Sequence, residues 1–259
     1  MYDFDFEKPS TVADAVAALA SEDAQALGGG QTLIPTMKQG LASPAKLVSL
    51  KGIAEMVVVS ESGGVVTIGG ATTHAQVAAE CPIGAVAALA GNIGDPAVRN
   101  RGTIGGSLAN NDPSSDYPAA VLALGATIVT NSREIAADDF FDGMFTTTLE
   151  EGEIITAVKI PVPDAACYEK FEQSASRFAL TGVFVAKTDG GVRVAVTGAS
   201  EEGVHRWSAG EEALNGNFSA DALSGLSVPS DGMISDLHGS EDYRANLVKV
   251  LTGRAVSGC

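Results

Sequence analysis

The chain has 259 residues and a formal net charge of -16, from 32 Asp and Glu against 16 Lys and Arg. That balance argues against nucleic acid and anionic membrane as partners, because both are held by clustered cations, and it admits an anionic cofactor only where neutral backbone donors hold it. Hydrophobic residues make up 45% of the chain and no apolar run is long enough to cross a bilayer, so a globular protein with a substantial core is expected.

The opening MYDFDFEKPS lacks the basic-then-apolar plan of a secretory signal, which points to the cytoplasm. Cys81, Cys167 and Cys259 are too few and too scattered for a disulfide scaffold or a metal-cluster motif. His74, His205 and His238 are equally dispersed, and no HExxH or Ser/His/Asp motif runs through them.

In chain order, Val12, Ala15, Val16 and Leu19 share a helical face behind Ser10, a candidate N-cap. A strand over 24–27 leads into GGGQTLIPTMKQG, a glycine loop followed by a short helical turn. Residues 46–50, 56–59 and 65–68 read as strands, the last after a Gly63-Gly64 turn. Ala71-Thr72-Thr73-His74 opens a helix that Pro82 ends, with His74 read as a capping or surface residue. Residues 83–90 form an Ala-rich helix.

The stretch 95–118 reads as a loop built around a ligand; beyond it come a helix at 118–124 and strands at 126–130 and 154–160. Pro161-Val162-Pro163 marks the best linker. Residues 168–172, 183–187 and 192–196 are strands, the last two joined by the turn Thr188-Asp189-Gly190-Gly191. A final helix, capped by Ser240, places Tyr243, Leu247, Val250 and Leu251 on one face. The sum is an α+β protein.

Two stretches carry the chemistry. Gly28-Gly29-Gly30-Gln31-Thr32 and Thr103-Ile104-Gly105-Gly106-Ser107 both offer residues without Cβ, able to take positive φ and to aim N–H groups at an anion. Leu33 stands where the third glycine of a dinucleotide fingerprint belongs, and no P-loop lysine follows either stretch. What remains is a diphosphate held by two separate loops, with hydroxyls of Thr32, Thr103 and Ser107 assisting, and Asp112 or Asp116 accepting from a ribose. Turn capping and tight packing would explain one such loop; two of matched chemistry favour the cofactor.

The strings LGGGQTLIPTMKQGLASPAKLVSL, IGGATTHAQVA, IGDPAVRNRGTIGGSLANNDPSSDYPAA, DDFFDGMFTTTLEEGEIITAVKIP and GSEDYRANLVKVLTGRAV resemble, in order, the FAD-binding medium subunit of molybdenum hydroxylases, the family of the carbon monoxide dehydrogenase and xanthine dehydrogenase flavoproteins. The resemblance implies a two-part FAD-binding domain of the vanillyl-alcohol-oxidase (PCMH) type over 1–162, with subdomains of about 1–54 and 55–162. A smaller C-terminal α+β domain of the CO dehydrogenase flavoprotein type would follow over 163–259.

It implies that Gly28, Gly29, Gly30, Gln31 and Thr32, with Thr103, Ile104, Gly105, Gly106 and Ser107, wrap the FAD diphosphate, and that Asp116 meets the adenosine ribose. Leu33 and Ile104 would pack on the cofactor. Thr72, Thr73, Asn110, Asp112 and Lys170 would lie near the flavin or its ribityl chain. Neither loop holds a Cys or His, so the FAD is expected to be non-covalent.

The implied function is electron transfer from 2Fe-2S clusters of a small subunit through FAD to a terminal acceptor, while a large subunit carries the molybdopterin cofactor. The assembly would be a heterotrimer or its dimer. No catalytic acid or base and no metal ligand is assigned to this chain. A stand-alone FAD oxidase and a redox-silent binding protein are the competing readings.

Overall fold

A computed structural model describes residues 2–259. Three sheets, each with its own helices, are built from the described residues. The first comprises β1 (Asp5–Glu7), β2 (Ala24–Leu27) and β3 (Lys46–Ser49), all parallel in the order β1-β3-β2. Parallel neighbours need crossovers, and α1 (Val12–Leu19) and α2 (Leu33–Lys38) supply them. Thr11, not Ser10, caps α1: its hydroxyl accepts from Asp14 N. Ala15 and Ala18 on α1 pack against Val48 and Leu50.

The second sheet has the order β4-β5-β8-β6-β7 and is antiparallel throughout, from β4 (Val59–Ser62), β5 (Val65–Gly69), β6 (Thr127–Thr130), β7 (Glu134–Ala136) and β8 (Ile155–Pro161). The strand expected over 56–59 starts later, because 54–56 turn as a 3-10 helix with Met56 buried. Between β5 and β6 run α3 (His74–Glu80), α4 (Gly84–Gly91), α5 (Pro96–Arg99), α6 (Ile104–Asn110) and α7 (Tyr117–Ala123). The ligand stretch 95–118 is therefore partly helical: Asp95 caps α5, and Thr103 caps α6 through Gly106 N.

The third sheet is antiparallel, in the order β12-β11-β10-β9, from β9 (Ala165–Glu172), β10 (Ala179–Thr188), β11 (Gly191–Thr197) and β12 (His205–Arg206). Alternation along β10 sorts its two faces. Phe184 and Ala186 join the core of the second sheet beside Val121 of α7, while Val183 and Val185 face Leu247 and Val248. Those two leucine and valine side chains belong to α9 (Glu241–Gly258), and α8 (Ser208–Gly216) covers the same side through Leu214.

The buried face of α9 differs from the apolar stripe read in the sequence. Tyr243 and Val250 are exposed, and Arg244 is buried in their stead. A buried guanidinium requires acceptors, and it finds Leu180 O at 2.6 Å, Gly198 O at 2.7 Å and Asp236 Oδ1 at 2.8 Å. Arg244 thus ties α9 to the ends of β10 and β11.

Candidate functional site

The carboxyl end of β2 is where the first glycine loop begins. The strand ends at Leu27, the chain bends at Gly28, and Gly30 reverses it at φ +72°, a conformation that costs residues with a Cβ roughly 1 kcal/mol or more. Thr32 then starts α2. The backbone N–H groups of Gly29, Gly30, Gln31, Thr32 and Leu33 meet no acceptor among the described residues. Such a run of free donors on a glycine turn suits an anion.

Residues 101–106 close on this loop from the other side. A Cβ on Gly29 would lie 2.1 Å from Arg101 O and 2.5 Å from Gly102 Cα, and one on Gly28 would lie 2.9 Å from Thr103 Oγ1. Gly29 needs glycine because two backbones touch there, while at Gly28 the close neighbour is the Thr103 side chain. The two loops, more than seventy residues apart, form one wall of a cleft of about 390 Å³. A cavity of that size is within the usual range for a small-molecule or cofactor site.

The second loop is used differently from what its sequence suggested. Gly105 and Gly106 lie inside α6 and not at positive φ. Their N–H groups are already bonded, Gly105 to Gly70 O and Gly106 to Thr103 Oγ1, while Ile104 N donates to Thr72 O and Ser107 N to Thr103 O. These glycines admit a close backbone approach: a Cβ on Gly105 would sit 2.6 Å from Gly70 O. They offer a surface, not free donors.

Of the residues singled out in the sequence, Gly28, Gly29, Gly30, Gln31, Thr32, Leu33, Thr103, Gly105, Gly106, Ser107, Asn110, Asp112 and Asp116 line this cleft. Ser107 Oγ is 2.6 Å from Ser115 Oγ, which lines it too. Four others do not line it. Thr72 spends its hydroxyl on Val58 N and O, and Thr73 forms a capping box with Gln76 at the start of α3. Ile104 points into the hydrophobic core. Lys170 is buried behind the wall, with Nζ 3.0 Å from Asn92 O, 3.0 Å from Arg177 O and 3.2 Å from Asp116 Oδ1.

Asp116 is accordingly a shared group. Its carboxylate also accepts from the Tyr168 hydroxyl, and burial raises its pKa against the pull of Lys170 and Tyr168. Lys170 and Tyr168 stand on β9, so the third sheet positions a cleft residue of the second. Thr197 Oγ1, donating to Ser115 O at 2.7 Å, fixes the same 112–116 loop from β11.

Several cleft residues carry no signal in the sequence. Leu50, Ile93, Val98, Leu149 and Phe178 are apolar side chains that tertiary packing brings together. Glu153 is held at the rim by Arg133 through two contacts of 2.9 Å, and its pKa falls to about 2, chiefly through that bond. His74, expected at a cap or the surface, is buried in the cleft wall.

Residues 2–163 match the family model for the FAD binding domain in molybdopterin dehydrogenase. The chain is 36% identical to the carbon monoxide dehydrogenase medium chain of Afipia carboxidovorans, over 98% of this chain and 95% of that one. It is 35% identical to the nicotine 6-hydroxylase medium subunit of Paenarthrobacter nicotinovorans, over 97% and 95%. A solved carbon monoxide dehydrogenase chain from Hydrogenophaga pseudoflava superposes with a TM-score of 0.87 at 33% identity, covering 99% of this chain and 96% of that one. With every lining residue of the glycine-walled cleft except Phe178 in the matched segment and relatives aligned along nearly the whole length of the chain, the chain belongs to the family of FAD-binding medium subunits of molybdenum hydroxylases.

Proposed function

We propose that the cleft holds FAD and that the chain is the FAD-binding electron-transfer subunit of a molybdenum hydroxylase complex. The observation that carries the reading is the free-donor loop Gly29–Gly30–Gln31–Thr32–Leu33 seated against Arg101 and Gly102 at the wall of one cleft. The donor set fits a diphosphate: neutral amides and the Thr32 and Ser107 hydroxyls, with glycine wherever a Cβ would meet backbone. Asp116, Asp112 and the unbonded amide of Asn110 fit the hydroxyls of a ribose or ribityl chain.

When bound, FAD supplies the redox chemistry, taking up electrons from iron–sulfur clusters of a partner and handing them to a terminal acceptor. This chain's residues hold it. The amides of the first loop neutralise the phosphates without cations. Gly29 and Gly105 let the backbones that form the cleft wall pack closely, and Leu33, Ile93 and Phe178 exclude water beside the cofactor. The chain is an oxidoreductase subunit, working with a large molybdopterin-binding subunit and a small iron–sulfur subunit in a heterotrimer or its dimer.

The finer assignments belong to the same proposal. They are non-covalent attachment, a cytoplasmic setting, and a division at 162/163 between the FAD-binding part and the C-terminal part. No helix among the described residues is long and apolar enough to cross a membrane.

Purification of the chain tests the reading. The expected product is yellow, releases FAD on acid denaturation, and co-purifies with a molybdopterin chain and an iron–sulfur chain from the native source. A colourless protein that takes up no added FAD would contradict it.

A further inference from the structure

His74 has no task in the contacts described so far. It opens α3 and is 5% exposed, with its backbone N–H donating to Gly102 O at 3.0 Å. The imidazole lies against Gly102: a Cβ built there would come within 2.5 Å of Nε2. Nδ1 is buried and has no hydrogen-bond partner among the described residues, and neither has the hydroxyl of the nearby Tyr117, whose ring is 5.4 Å away centre to centre.

Burial, assisted by the Arg99 guanidinium, lowers the imidazole pKa to about 4, so the ring is neutral under ordinary conditions. A neutral imidazole carries one proton, and the tautomer follows the acceptors on offer. Nδ1 faces none. Nε2 has no partner among the described residues either, but it lies at the edge that touches Gly102 on the cleft wall, so an acceptor in the cleft would hold the proton there.

The second glycine loop leaves a gap that this N–H can fill. A diphosphate seated between the loops meets free amides from Gly29 to Leu33 on one side, whereas the amides of Ile104 to Ser107 on the other are already bonded within the protein. We propose that His74 binds the cofactor: its Nε2–H donates a hydrogen bond to the diphosphate from the side where the backbone offers none. The proposal rests on the FAD reading above and adds a side-chain donor to it. The donor is uncharged, in keeping with a cleft that binds an anion without a cation of its own.

Fluorescence titration of the flavin-free full-length chain with FAD tests this, with His74→Gln, His74→Phe and His74→Asn beside the native protein. Glutamine places an N–H near the position of Nε2, phenylalanine fills the volume without a donor, and asparagine is too short to reach. FAD should bind the Phe and Asn variants about 10- to 100-fold more weakly, the range for one hydrogen bond to a charged group, and the Gln variant within about threefold of native. The 31P resonances of bound FAD should move in the Asn variant and return toward native in the Gln variant.

Native-like affinity in both the Phe and Asn variants would overturn the proposal. So would equal losses in all three variants, which mark a packing role. A native chain that takes up no FAD overturns the functional reading itself, and the native titration alone separates that failure from the others. If the Phe variant does not fold, the Asn and Gln pair carries the same comparison.

Discussion

The two glycine loops look alike in sequence and do opposite work. Residues 29–33 keep their N–H groups free and use Gly30 at φ +72° to turn them, while residues 104–107 spend theirs on Thr103, Gly70 and Thr72. In the proposed site one loop binds and the other presses against it. Glycine serves the first through conformation and both through the absence of a side chain, so a glycine count alone does not say which role applies.

The strongest way to break this contrast is to fill the contact between the loops. Gly29→Ala places a methyl 2.1 Å from Arg101 O, which must push the loops apart. Roughly 3 kcal/mol of stability or more should be lost, the upper part of the overpacking range, along with measurable FAD uptake. Thermal melting and flavin absorbance check both. Unchanged FAD uptake in this variant would remove the convergence of the loops from the account.

Next is the pairing that joins the third sheet to the cleft. Asp116→Ala leaves Lys170 Nζ buried opposite two carbonyls with no carboxylate, which should cost about 3–5 kcal/mol in urea unfolding. A loss below about 1 kcal/mol would show that the pair is not desolvated as the structure has it.

A smaller effect sharpens the contrast from the other side. Gly106→Ala sits inside α6 with only Thr103 Oγ1 at 3.0 Å, so the gain in helix propensity of about 1 kcal/mol offsets the squeeze, and stability should stay within about 1 kcal/mol of native. A loss like that of Gly29→Ala would mean that the two loops are equivalent after all.

The smallest expected effect concerns the rim. Glu153 has its pKa lowered to about 2 from an ordinary 4.5, so the Arg133–Glu153 contact contributes stability that is present above pH 4.5 and disappears as the pH falls toward 2. Glu153→Gln should flatten the melting temperature against pH in that window and leave it unchanged in shape above it. An identical acid profile in the variant would assign the acid loss to other groups.

Much of this was legible in the sequence because it is local. Strand β2, the helix after it, the Gly63-Gly64 turn, with φ +59° and +76°, and the Thr188–Gly191 turn follow from short-range chemistry. The family resemblance rested on glycine, Thr and Asp strings that stand at the cleft, and the matched family and relatives agree with it.

What the sequence hid depends on contacts far along the chain. Nothing in GTIGGS shows that Gly70 and Thr72 return to take its amides, or that Gly102 comes to lie on the ring of His74. Lys170 looked like a cofactor ligand, yet Asn92, Arg177 and Asp116 surround its ammonium group behind the wall. On α9 the apolar spacing misplaced Tyr243 and Val250, because the carbonyls of Leu180 and Gly198 make burial of Arg244 favourable.

Amide hydrogen exchange with and without FAD tests the central asymmetry most directly. Before FAD is added, the amides of Gly29 to Leu33 should exchange fast and those of Gly105 to Ser107 slowly. Adding FAD should protect the first set strongly and change the second little. Slow exchange at Gly29 to Leu33 before FAD is added, or no new protection there after it, would contradict the account.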